Sequence, residues 1–98
     1  MNKEYTIEKQ KYKLIKEYKN AFSLDKVLEK WTDYFDEYDY IVGDYAYDKL
    51  RLKGFCLKEN KKHNAINDKN HIERYIKEDC AYECRYFILE KIQVKKSN

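Results

Sequence analysis

The residues of this chain best placed to do chemistry are cations. Lys49, Arg51 and Lys53 recur at every second position of the run DYIVGDYAYDKLRLKGF, residues 39–55. On a strand that spacing puts the three charges on one side and Leu50, Leu52 and Cys56 on the other, with Gly54 in register. A row of cations can track a phosphate backbone, and Phe55, Tyr45 and Tyr47 offer rings on which bases could stack. Lys61 and Lys62, with Lys58, carry the positive charge into the next segment. Lys53, Gly54 and Phe55 match the basic-glycine-aromatic opening of the RNA-recognition strand motif, but Cys56, Leu57 and Lys58 do not continue it. The same ladder also fits a solvated strand face whose cations pair with nearby acids.

Other constellations read more plainly. Cys80 and Cys84, with Cys56, His63 or His71, could supply four donors to zinc, at a spacing that permits such a site without specifying it. Cys56 and Cys80 fall on the apolar sides of their elements, where thiols behave as small hydrophobes, so reduced cysteines and no metal or cofactor are expected. Neither Ser23 nor Thr32 has the local context of an activated nucleophile, and both histidines sit in or beside a polar segment. Asp33, Asp36, Glu37, Asp39, Asp44 and Asp48 include possible carboxylate pairs, although acids this dense usually form a solvated face. Gly43 and Gly54 are isolated, so there is no phosphate-cradling loop; Gly43 suggests a bulge and Gly54 close packing beneath a helix. Trp31 reads as a core anchor. The chain is expected not to be an enzyme.

The elements that position these residues follow from periodicity. Residues 12–18 alternate as a strand, with residues 5–7 as a candidate extra strand. Ser23 is a good helix cap, and Leu24, Val27, Leu28, Trp31, Phe35 and Tyr38 form the stripe of one amphipathic helix. A hairpin from Asp39 comes next, its turn within residues 45–48. Residues 58–70, KENKKHNAINDKN, read as a mobile polar loop. Asn70 and Glu73 open a short helix lined by Ile72, Tyr75, Ile76 and Cys80. Tyr86 to Leu89 is an apolar run extended by Ile92 and Val94, as in a strand buried on both faces at its start. The order βαββαβ predicts an α+β domain: a four-stranded antiparallel sheet with two helices on one face, in the split βαβ, ferredoxin-like arrangement. Its opposite face would be open.

Ninety-eight residues allow one domain, 1–98, with a modest core that leans on eleven tyrosines. The run 23–48 holds eight acids against Lys26 and Lys30, a balance of −6, whereas 49–63 holds six cations against Glu59, a balance of +5. Such segregation steers partners, although the pI of 8.6 lies below that of committed nucleic-acid binders. With no long apolar run and three cysteines, the chain is expected to be cytoplasmic, reduced and away from membranes.

The central YDYIVGD and LRLKGF blocks, with CAYECRYFILEKI downstream, resemble the YutD-like family of small cytoplasmic proteins of Gram-positive bacteria. The likeness spans residues 12–92. Where the family pattern implies an indole after Gly43 and Asp44, this chain has Tyr45, which keeps the ring and loses the N–H donor. The resemblance implies a small bacterial domain and carries over no catalytic residue. The residues then predict a binding module, with RNA or another polyanion contacted through Lys49, Arg51 and Lys53. The alternative is a protein-interaction adaptor using the acidic helix and the tyrosine-rich hairpin.

Overall fold

Alternation in sequence becomes a single antiparallel sheet in the computed structural model, which describes residues 3–79 and 84–92. Strands β1 (Lys3–Ile7) and β2 (Gln10–Tyr18) form a hairpin. Helix α1 (Leu24–Lys30) and a 3-10 turn (Asp33–Glu37) follow, then the hairpin of β3 (Tyr40–Ala46) and β4 (Lys49–Phe55). Helix α2 (Ile72–Asp79) and strand β5 (Tyr86–Lys91) complete the order. Among the described residues the strands lie in the order β1-β2-β5-β3-β4, and every neighbouring pair is antiparallel.

This corrects the ferredoxin-like expectation in three ways. The N-terminal residues form a full strand, so the sheet has five strands and not four. A split βαβ sheet would seat β4 between β2 and β3, but β5 takes that slot and β4 lies at the edge. The strand compositions explain the exchange: an apolar run such as 86–89 suits a position covered on both faces, whereas alternate cations suit an edge. Finally, the helices lie on opposite faces. Val27 and Trp31 join Ile41, Tyr45, Leu50, Phe87 and Leu89 in one core, and Ile72 joins Tyr40, Val42, Phe55 and Ile88 in a second. The face expected to be open is therefore partly covered by α2.

Local chemistry sets the element ends. Ser23 Oγ accepts the Lys26 N–H at 3.5 Å and caps α1. Trp31 then takes extended backbone, so the single helix expected through Tyr38 breaks into α1 and the 3-10 turn while the apolar stripe runs on. Gly43 is not a bulge, since its register is continuous with both neighbouring strands; a Cβ there would collide with the Phe87 ring. Gly54 likewise makes room for the ring of Tyr38.

Cys56 is free and buried, as expected, but Cys84 is disulfide-bonded, which corrects the expectation of reduced thiols throughout: an odd cysteine count leaves one thiol over and does not argue against a disulfide. Cys80 and Val94 lie outside the described residues. Among those described, no helix is long and apolar enough to cross a membrane.

Candidate binding surface around strand β4

The β3–β4 turn consists of two residues, Tyr47 and Asp48, because Ala46 pairs with Lys49. Both have positive φ, 52° and 63°, the geometry of a tight hairpin turn that favours Asn-Gly. The Tyr47 side chain is 99% exposed at its tip. From this turn the strand alternates as its sequence requires. Lys49, Arg51 and Lys53 share a face with Phe55, and Leu50 and Leu52 point to the α1 side.

Each cation has a different setting. Lys49 is exposed. Arg51 forms a two-pronged pair with Asp44, Nε to Oδ1 at 3.1 Å and a terminal nitrogen to Oδ2 at 2.5 Å, and the carboxylate it meets is wholly buried. Lys53 Nζ lies 5.7 Å from the centre of the Phe55 ring and 5.6 Å from that of Tyr75. The proposed stacking rings do not gather beside them. Phe55 is 1% exposed and meets Tyr75 edge to face, so its ring is closed to a base. Tyr45 pairs in register with Leu50 and is buried on the opposite face, where the Arg85 guanidinium sits 4.4 Å over its ring. Lys61 is exposed on the following loop, and Lys62 reaches Glu37 at 3.6 Å.

That loop is pinned by its own polar side chains, contrary to the mobile segment expected. The Asp39 carboxylate accepts the Leu57 N–H at 2.8 Å and the Asn60 amide at 3.0 Å. Asn67 accepts from the Asn64 N–H and donates to the Lys62 carbonyl. His63 Nε2 lies 2.7 Å from Asp68, and this contact, with the Asn70 N–H, holds the Asp68 carboxyl below its ordinary pKa. Cys56 donates to the Asn67 carbonyl and accepts from the Lys69 N–H, forming a parallel bridge with Asp68 just past the end of β4.

Two open depressions border the strand. A groove of about 290 Å³ is lined by three consecutive residues of β4, Leu52, Lys53 and Gly54, together with Tyr34 and Tyr38 and with Asn64, Ile66 and Asn67 of the following loop. A cleft of about 330 Å³ lies between α2 and β4, lined by Lys53, Phe55, Ile66, His71, Tyr75 and the pair of Arg74 and Glu78, in which Arg74 Nε donates to the carboxylate at 2.8 Å. Sequence reading missed Tyr34 and Ile66, which are 63% and 75% exposed. Each left a faint signal: Tyr34 stands off the stripe of Trp31, Phe35 and Tyr38, and Ile66 is the single large apolar residue of a polar segment.

Known proteins share this architecture. The family model described as "Putative antitoxin YutD-like" matches residues 6–90. A Bacillus subtilis (strain 168) protein described as "Putative antitoxin YutD" is 34% identical over 87 residues, covering 89% of this chain and 96% of that protein. The solution NMR structure of protein yutD from B. subtilis matches with a TM-score of 0.77 at 32% identity, covering 97% of this chain and 86% of that one.

Proposed function

This chain belongs to the YutD-like family, and on that premise we propose that it is a non-enzymatic binding module that holds a partner protein at the outer side of β4. One observation carries the reading. The three most exposed large apolar side chains among the described residues, Tyr47, Ile66 and Tyr34, all border this strand. Exposed apolar groups set along one strand of a small protein, Tyr47 at the turn and Tyr34 and Ile66 at the groove, mark an interaction surface, and tyrosine is a favoured anchor of such contacts. The description of the matching family, "Putative antitoxin YutD-like", supports the same reading, and a toxin protein is the partner proposed.

RNA or another polyanion is the second reading. What favours it is the pair Lys49 and Lys53 on one face of β4, with Arg74, itself paired with Glu78, lining the same cleft as Lys53. It ranks second because Phe55 and Tyr45 are buried and Arg51 is already matched by Asp44.

The test is affinity purification from the native cell, with nuclease treatment, of the wild type and a variant carrying Tyr34→Ser, Tyr47→Asn and Ile66→Lys. The changes at Tyr47 and Ile66 should each cost within roughly 0.5 kcal/mol, whereas Tyr34→Ser also removes the acceptor of the Tyr38 hydroxyl, worth about 1 kcal/mol more, so a second variant carrying only Tyr47→Asn and Ile66→Lys is run beside it. A protein recovered in fixed stoichiometry by the wild type, resistant to nuclease and lost from both variants, is the expected result. Recovery of RNA alone, or equal recovery by all three proteins, would overturn the reading.

A further inference from the structure

Building on the protein-binding reading, we propose that β4 accepts an extended segment of the partner as a sixth strand, and that this segment alternates acidic with apolar side chains. Strand β4 is an edge of the sheet, so one side of its backbone has no strand neighbour among the described residues. Such an edge presents a row of N–H and C=O groups with the spacing an incoming strand needs. The molecule begins to fill this position itself. Residues 67–69 bond to Cys56 on the line a sixth strand would follow, and upstream of that bridge the groove along Leu52, Lys53 and Gly54 continues it.

The required side chains follow from parity. Neighbouring strands set their side chains about 5 Å apart on each face. A residue beside Lys49 or Lys53 would meet an ammonium group on the α2 side, and a carboxylate suits it. One beside Leu50 or Leu52 would meet leucine and the wall formed by Tyr34, and an apolar group suits it. Arg51 adds little to this choice, since Asp44 already balances it.

A second copy of this chain fits poorly. Two β4 edges would bring their lysines together, and β1, the other edge, carries a single acid, Glu4, while its apolar Tyr5 and Ile7 are already engaged, Tyr5 on Phe22 and Ile7 wholly buried in the α1-side core. The occupant is therefore a segment of a different protein.

The experiment uses the full chain labelled with 15N and two capped nine-residue peptides, one alternating glutamate with valine and one alternating lysine with valine. The glutamate peptide should shift the amides of residues 49–54 and slow hydrogen exchange at alternate ones, and the lysine peptide should not. Lys49→Glu with Lys53→Glu should weaken the glutamate peptide about tenfold and favour the lysine peptide, as expected from reversing two cross-strand pairs. Arg51 is left intact because it neutralises a buried carboxylate. Equal binding of both peptides, shifts confined to the α2 cleft, or self-association through β4 would overturn the proposal. If the cellular partner is still lost on changing Tyr34, Tyr47 and Ile66 while the peptide leaves β4 untouched, the protein-binding reading stands and strand addition alone falls.

Discussion

Asp44 and Arg51 show how differently two members of one charged ladder can behave. Asp44 is fully buried, and its charge is tolerable only because Arg51 meets both oxygens. Arg51→Ala would leave that carboxylate unmatched and should cost about 2–3 kcal/mol, a figure held down by the 44% exposure of the guanidinium side chain, which lets water approach. Lys49→Ala, at an exposed position of the same face, should change stability by less than about 0.5 kcal/mol. Urea unfolding of the two variants checks the contrast, and equal effects would show that the pair is not structural. The alternation that set these cations apart from Leu50 and Leu52 was readable in the sequence. The position of Tyr45 was also within reach, because a two-residue turn at 47–48 pairs it with Leu50 and assigns it to the leucine face. The burial of Phe55 was not, since the helix that covers it begins seventeen positions later in the chain and no local pattern couples the two.

At the scale of elements, the β3–β4 turn carries a conformational cost with no internal contact to explain it. Tyr47 adopts φ of 52° while its ring lies in solvent, and a bulky residue is disfavoured in that region. Replacing Tyr47 and Asp48 by Asn and Gly should stabilise the protein by about 1 kcal/mol and, on the protein-binding reading, weaken partner capture. Thermal unfolding measured alongside partner recovery separates the two effects; a destabilised double variant would contradict the turn assignment. Element types were largely legible: the β2 alternation, the Ser23 cap and the paired runs of β3 and β4 all appear where periodicity put them. Their arrangement was less so. Alternation assigns a side chain to a face but does not choose a neighbour, and the βαββαβ order is compatible with either β4 or β5 in the inner slot. The deciding signal was present in the contrast between the apolar run 86–89 and the cations of β4. An inner strand apolar on both faces also requires cover on both, which is why the two helices part company.

Taken whole, the molecule places a helix on each face of its sheet, so its edges and turns are prominent among what it can offer a partner. Its two cores enclose four tyrosines, Tyr12, Tyr38 and Tyr45 in one and Tyr40 in the other, and that choice has a pH consequence. Burial, followed by the hydrogen bond to Glu90, raises the Tyr40 phenol from 10.0 to about 12. Tyr38, which donates to the Tyr34 hydroxyl, is raised to about 12, first by that bond and then by burial. Tyr12 is also raised, chiefly by burial and then by the charge of Asp36, and its hydroxyl has no hydrogen-bond partner among the described residues. A phenol whose folded pKa lies above its unfolded value holds its proton more tightly in the native state. Its stabilising contribution is complete below pH 10 and declines as the pH climbs from 10 toward 12, because the unfolded chain then loses protons that the folded chain retains. Absorbance titration should therefore show Tyr12, Tyr38 and Tyr40 ionising late, together with unfolding. Urea stability should fall across the same interval, and Tyr40→Phe should make the fall shallower, since it removes one of the linked protons. Ionisation of Tyr12, Tyr38 and Tyr40 near pH 10 with undiminished stability would mean that these rings are not enclosed as the two cores require.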